Sequence, residues 1–431
     1  MSVRQRAVYG VIWSTGISVA AQASSFFLTL GLARLLGKEI FGQWGIIQTT
    51  LSSIAGIAQL SMAVMAAKYV AQFRDSNPSR LGSVLGLSSL VTIIMSSLAA
   101  TGLFFGANYV ADVTLRAPYL KMDLEVSAIY LFFSIANGFQ IGALSGFERF
   151  KPLALIGTFY GFSSLALILL FAYGAGLRGA LSGLGLMAAV NWAIHHRILK
   201  RECQSKGIEV SVFGASKELS ALFRFTLPAT LSGIAGSIAV WFSGMILARQ
   251  PAGFEQFALF AAATSLKSLV LFMPNVVARV LMPVLVNLLG NSDYETYLSV
   301  FRKNLIYTTG MACVVAAAIA MFAPYILLAF GKSFEQGSLV VILLAACAVF
   351  EVLGAAIYQK LFNVGWMWWG LSTVLFRSSI LVVAAFLLVP ALAAVGLAVA
   401  NLLAYFLGMA LTYLIVRIGV PVGSEALHQG K

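Results

Sequence analysis

Apolar stretches of about twenty residues recur from one end of this chain to the other, and they constrain the fold more than any other feature. A bilayer core about 30 Å thick is crossed by a helix of roughly 20 apolar residues, whose backbone polar groups are all satisfied within the segment. Such stretches are read at 8–34, 42–67, 81–107, 122–145, 153–174, 177–199, 222–247, 256–289, 304–330, 337–362, 367–389 and 392–417. Hydrophobic residues make up 60% of the chain and charged residues only 10%, where a soluble domain carries roughly 25% charged residues. The short apolar–polar alternation of a membrane β-barrel is absent. The expected class is therefore an all-α polytopic membrane protein with about twelve transmembrane helices.

The net charge of +13 would suggest nucleic acid in a soluble protein, so its distribution decides its meaning. With the loops assigned alternately and Arg4 and Arg6 inside, 18 of the 28 Lys and Arg residues fall on the inner side, 7 outside and 3 within spans. The positive-inside rule then puts both termini in the cytoplasm, and no nucleic-acid partner is implied. The basic start and the long apolar run after it read as a retained first span rather than a cleaved signal. The three cysteines form no disulfide framework and read as free thiols. No cofactor or metal motif stands out: His195 and His196 have no ligand spacing with any cysteine, and there is no phosphate-binding loop.

The longest polar stretch, 200–218, falls near the midpoint and separates six spans from six. This gives an N-terminal lobe at 1–199, a cytoplasmic inter-lobe loop at 200–218 and a C-terminal lobe at 219–431. An internal echo agrees. Leu32-Ala33-Arg34 followed by Phe41-Gly42-Gln43-Trp44 returns as Leu247-Ala248-Arg249 followed by Phe254-Glu255-Gln256-Phe257, with the arginines 215 positions apart. Six spans per copy make this a parallel repeat about a pseudo-two-fold axis along the membrane normal. The small-residue runs Gly142–Gly146 and Gly179–Gly183 have the spacing of close helix packing.

A charged side chain at mid-bilayer costs roughly 2.5–3.5 kcal/mol, so each one needs an explanation. Four qualify: Lys267 and Arg279 in span eight, Glu351 in span ten and Arg377 in span eleven. Lys267 lies about 13 residues, or roughly 20 Å, from the outer end of its helix. Three cations suit an anionic ligand, above all a phosphate. The bland alternative is an internal ion pair, Glu351 with Lys267 or Arg377. Glu351 is the sole deep acid and a candidate protonation switch. Gln22 and Gln59 are candidates for the same cavity lining.

Several short motifs resemble those of the polysaccharide flippases, of O-antigen type, in the multidrug/oligosaccharidyl-lipid/polysaccharide exporter superfamily. They are Leu32–Gly37 with Phe41-Gly42, Ala67-Lys68-Tyr69-Val70-Ala71, Gly146-Phe147-Glu148-Arg149-Phe150, and Phe223–Pro228 with Trp241 and Leu247-Ala248-Arg249. The resemblance implies two six-helix lobes in a V around a central cavity lined by spans one, two, seven and eight. It implies an undecaprenyl-pyrophosphate-linked oligosaccharide as cargo, moved by alternating access to the outer leaflet of the bacterial inner membrane. Lys267 and Arg279 lie in the span where such a cavity would hold pyrophosphate. Implied partners are the lipid-linked oligosaccharide, H+ or Na+ as coupling ion, a polysaccharide polymerase and a chain-length protein. Where relatives carry a charged pair after the span-seven Trp, this chain has Ser243 and Gly244, so that pair's coupling role does not transfer. The alternatives are a drug or cation antiporter of the same superfamily, which would want acidic cavity residues, and a membrane-embedded sugar polymerase or ligase, which would want a large outer loop carrying catalytic residues.

Overall fold

The computed structural model describes residues 3–59, 62–74, 76–211, 219–290, 294–364 and 366–419, and among them every regular element is helical. The helices are α1 (Val3–Leu36), α2 (Lys38–Ala58), α3 (Met62–Phe73), α4 (Pro78–Tyr109), α5 (Lys121–Gly146), α6 (Phe150–Ser205), α7 (Leu219–Ala248), α8 (Gly253–Gly290), α9 (Tyr294–Phe330), α10 (Ser338–Val364) and α11 (Met367–Gly419). Local chemistry sets their ends. At α4 the Asn77 side chain accepts the Arg80 N–H at 3.0 Å, and Pro78 supplies the first helical residue, which has no N–H to satisfy.

At 56 and 53 residues, α6 and α11 are too long for one crossing, since 1.5 Å per residue would make each about 80 Å long. Each is a hairpin. The helical path breaks at Ala175–Gly176 in α6 and at Ala393 in α11. Past the break the chain folds back so closely that Gly179 meets the Phe171 carbonyl and Gly396 the Leu388 carbonyl. A Cβ on either glycine would stand 2.7 Å from the carbonyl carbon. The arms of the two hairpins are the expected spans five, six, eleven and twelve. Eight helical stretches are long and apolar enough to cross a membrane, and two of them are these hairpins, so they provide ten crossings. α1 and the pair α2/α3 occupy the places of the first two expected spans. Phe105, Tyr173 and Met321 are 78%, 80% and 72% exposed. Such apolar surfaces suit lipid rather than water.

Backbone conformation strengthens the repeat. Gly37 and Ala252, 215 positions apart, both have positive φ (78° and 52°), as do Arg116 and Gly331 (54° and 136°), also 215 apart. Gly176 (φ 58°, ψ −137°) and Ala393 (φ 50°, ψ −125°), 217 apart, share one conformation. Three turns of the first half thus have counterparts in the second. Among these six positions, three non-glycine residues adopt a conformation that glycine adopts most easily.

Packing divides the chain into two units, Met1–Leu36 with Ile47–Ser237 and Gly37–Ile46 with Ile238–Lys431. One division falls between α1 and α2, and the others fall inside α2 and α7. In the first unit, α3, α4, α5 and the end of α6 share a core whose periodicity is helical: Ala66, Tyr69, Val70 and Phe73 on α3, with Phe139 and Ala143 on α5 and Phe147 capping its end. The glycine run at 142–146 does what its spacing suggests. Gly142 lies on the backbone of Ala63 and Gly146 on that of Ala67, so α3 and α5 approach closely there. In the second unit, α8, α9, α10 and α11 pack on one another. The segment 37–46 packs with them: Gly42 lies on the Phe254 carbonyl, Lys38 pairs with Glu255 at 3.6 Å, and Phe41 meets the Phe334 ring edge-on.

Two details differ from expectation. The second span, expected as one helix over 42–67, is two, α2 ending at Ala58 and α3 starting at Met62. The Met62 N–H donates to the Gln59 carbonyl at 2.8 Å, a turn tighter than α-helix. Helix α6 also continues through residues 200–205 of the stretch expected as a loop. Glu202 there pairs with Arg149 at 2.6 Å, and Cys203 is buried. Residues 212–218 lie outside the described residues.

Candidate functional site

Three of the four charged residues expected deep in spans come together in the second unit. Lys267 Nζ stands 2.7 Å from Glu351 Oε2, with side chains 11% and 26% exposed. That oxygen is shut off from solvent, so the two groups form a close, buried ion pair. The Lys267 ammonium also lies 4.5 Å from the centre of the Tyr405 ring, and the Arg377 guanidinium 4.7 Å from the same centre. The two cationic groups are therefore no further apart than the sum of those distances. A ring face attracts a cation through its quadrupole, by roughly 0.5–2 kcal/mol depending on desolvation. Gly408, one turn beyond Tyr405, leaves space for the stem of Arg377, whose Cβ lies 3.1 Å from where a Cβ on Gly408 would be.

The helices set these groups at one level. Lys267 is 14 residues past the start of α8, Glu351 is 13 past the start of α10, Arg377 is 16 before the α11 break, and Tyr405 is 12 after it. At 1.5 Å per residue all four lie about 18–24 Å from the same end of their helices. Cys347, one turn before Glu351 on α10, is fully buried. Two cations face one carboxylate, which leaves one positive charge in excess among the described residues. A surplus charge at such depth is costly unless a counter-charge answers it.

The pairing of Lys267 with Glu351 is the internal ion pair that the sequence offered as the bland alternative. Arg377 beside it is the part that this alternative leaves unexplained. The fourth expected residue, Arg279, has its backbone 12 residues past Lys267 on α8, about 18 Å further along the helix. Its side chain lies outside the described residues. Gln22 on α1 and Gln59 after α2 belong to the first unit, and the Gln59 amide lies against Gly138 of α5. Tyr405 escapes a reading of the sequence that looks only for charge. The available signal is a tyrosine near the middle of a span whose one charged residue is Arg417 at its end, where a buried hydroxyl usually needs a partner.

The ion pairs of the first unit lie near helix ends. Arg74 donates to the Gly146 carbonyl at 2.9 Å and to Glu148 at 2.6 Å, and Arg178 pairs with Asp123 at 3.2 Å. His195 has its Nδ1 2.9 Å from the Asn191 carbonyl, and His196 stacks on Trp192. Among the described residues no group of His, Cys, Asp or Glu could hold a metal ion, and all three cysteines are free.

Long apolar helices that repeat across the two halves and hold three charged residues well inside the second unit are features of a polytopic membrane protein. The chain belongs to the family described as polysaccharide biosynthesis protein, whose pattern matches residues 7–289, about two thirds of its length. No curated protein matches it by sequence. Among solved structures it is similar to an inward-facing multidrug resistance MATE family transporter of the MOP superfamily, with 17% identity, TM-score 0.74, 97% of this chain covered and 100% of that one. An outward-facing structure of such a transporter gives 17% identity and TM-score 0.72, covering 99% and 96%. A MOP superfamily transporter from Pyrococcus furiosus, described as having a binding pocket of reverse polarity that suggests a different function, gives 19% identity and TM-score 0.71, covering 96% and 95%. The fold is that of the MOP superfamily.

Proposed function

We propose that this protein moves a lipid-linked oligosaccharide, carried on undecaprenyl pyrophosphate, from the cytoplasmic to the outer leaflet of the bacterial inner membrane. Both termini are cytoplasmic, the two six-helix halves alternate access, and the cargo feeds surface polysaccharide assembly. The observation that carries this reading is the cationic excess of Lys267 and Arg377 over Glu351 around Tyr405. A polyanionic pyrophosphate answers that excess, with Arg377 offering a planar fork of donors and Lys267 a point charge. Family membership supplies the sugar context. An antiporter of cationic drugs would want a net negative charge at this position, where the one acid, Glu351, is already paired with Lys267 and outnumbered by the cations.

The test is export per folded molecule in a strain lacking the native gene. Arg377→Ala and Lys267→Ala should insert yet leave sugar-lipid on the cytoplasmic leaflet, and Lys267→Arg should retain part of the activity. Normal export per molecule by both alanine variants would remove the cluster from the cargo path.

A further inference from the structure

The first unit carries a furrow that the charged cluster does not use. It runs between α4 and α5 and has a volume of about 670 Å³, within the roughly 300–1,000 Å³ of ligand pockets. Ser97, Thr101 and Phe105 line it from α4, and Glu125, Ile129 and Phe133 from α5. Each set recurs every fourth residue, so each is one face of its helix. Phe105 and Ile129 are exposed, and the furrow therefore opens sideways onto the surface that suits lipid. We propose that it seats one glycerophospholipid of ethanolamine type, with an acyl chain along the furrow, the phosphate toward Lys121 and the primary ammonium on Glu125. This lipid is a neighbour of the transporter and not its cargo.

The two ends of the furrow differ. Lys121 opens α5 and Glu125 follows one turn in, with the ammonium 3.9 Å from the carboxylate. That ion pair is too long for a hydrogen bond, so the carboxylate keeps its capacity for a donor. Tyr109 and Tyr119, both exposed, mark this end as the membrane interface. On the topology proposed above, the lipid belongs to the outer leaflet. Deeper in, the lining is apolar, and the Thr101 hydroxyl is taken up by the Ser97 carbonyl at 2.6 Å. Along α5 the lining runs from Met122 to Phe133, about 17 Å at 1.5 Å per residue. One leaflet's half of a bilayer core is about 15 Å, so the furrow has the length of one acyl chain. The charge order selects the headgroup. A zwitterion complements a Lys–Glu pair set one turn apart. A carboxylate accepts strong hydrogen bonds from a primary ammonium, whereas a trimethylammonium has no N–H to donate. A phosphate headgroup without a cation leaves Glu125 unanswered. Nor does the scaffold require the pair. The corresponding positions of the second half, 215 residues on, are Gln336 and Val340, and neither is charged.

The experiment weighs retained lipid. The full-length protein is equilibrated in nanodiscs holding equal amounts of ethanolamine, choline and glycerol phospholipids with identical chains. It is then released into mild detergent and weighed intact by native mass spectrometry. The wild type should keep one ethanolamine lipid in preference to the other two by about tenfold, the scale of one charge-assisted hydrogen bond. Glu125→Gln should retain a lipid but lose the preference. Ala100→Trp, which fills the furrow from α4, should lose the lipid whatever its headgroup. Equal retention of the three headgroups by the wild type would overturn the proposal, and this comparison needs no variant to fold. An ethanolamine preference unchanged in both variants would put the lipid elsewhere and overturn it too. A wild-type mass of two chains with no retained lipid would make this face a contact between copies, which also overturns it.

Discussion

Replacing Glu351 with Leu removes the one anion of the cluster and leaves Lys267 and Arg377 near the same ring. Breaking a buried ion pair by deleting one partner costs about 3–5 kcal/mol, because the survivor stays buried and unanswered. The side chains here are 11% and 26% exposed, which favours the lower end, about 3 kcal/mol. Lys267→Met should cost less, since Glu351 can then turn to Arg377 over the shared Tyr405 ring. In the double variant neither charge remains, and a hydrophobic pair in place of an ion pair is commonly neutral within a few kcal/mol. The expected order of thermal stability in nanodiscs is therefore wild type close to the double variant, then Lys267→Met, then Glu351→Leu. At about 2–4 °C per kcal/mol for a unit of this size, Glu351→Leu should melt about 6–12 °C below wild type. A double variant that loses the sum of the two single losses would mean that these residues do not interact, and would refute the reasoning.

Gly142→Val should lower folded yield sharply, because its Cβ would fall 2.7 Å from the Ala63 Cα, and backbone cannot step aside as a side chain can. Gly142→Ala should lose less, and size-exclusion yield measures both. Ala393→Gly and Ala252→Gly should each stabilise by about 1 kcal/mol through relieved backbone strain, read as a higher melting temperature, since their counterparts Gly176 and Gly37 already have that residue. The triple variant Lys267→Met, Glu351→Leu, Arg377→Met should fold and insert yet export nothing, measured as leaflet distribution of sugar-lipid. Cysteines placed near Arg74 and Lys206 should be shielded from an impermeant thiol reagent outside spheroplasts, while those near Arg116 and Lys332 should label; the reverse pattern would invert the topology.

Span positions are legible in the sequence because apolar length is a direct consequence of bilayer thickness. The hairpin breaks at 175–176 and 393 fall close to where the expected spans end, at 174/177 and 389/392. The break after Ala58 is not legible: Gln59-Leu60-Ser61 contains neither Gly nor Pro. Residues 200–205 read as loop because they are polar, yet Glu202 is held by Arg149, 53 positions away, a contact that no local pattern reveals. Lys267, Glu351 and Arg377 are legible because burying charge in lipid is costly wherever it occurs. Their partners are not, since which cation meets Glu351 depends on the rotation of three helices.

The repeat separates what the fold needs from what the site needs. The positive-φ turns at 37, 116 and 176 return at 252, 331 and 393, so both halves inherit the same corners. With the shorter hinge of the second copy allowed for, Lys267, Glu351, Arg377 and Tyr405 correspond to Ile54, Ala136, Tyr160 and Ala188 of the first half. None of those is charged. The first half builds the same helical scaffold without a charge at these positions, so the scaffold does not require them. A purely structural ion pair would satisfy itself with one cation and one acid. The second half carries an additional cation, and folding alone gives no reason for it. On the function proposed above, the asymmetry belongs to the cargo: one half of a duplicated bundle keeps the positive charge that an anion crossing the membrane requires.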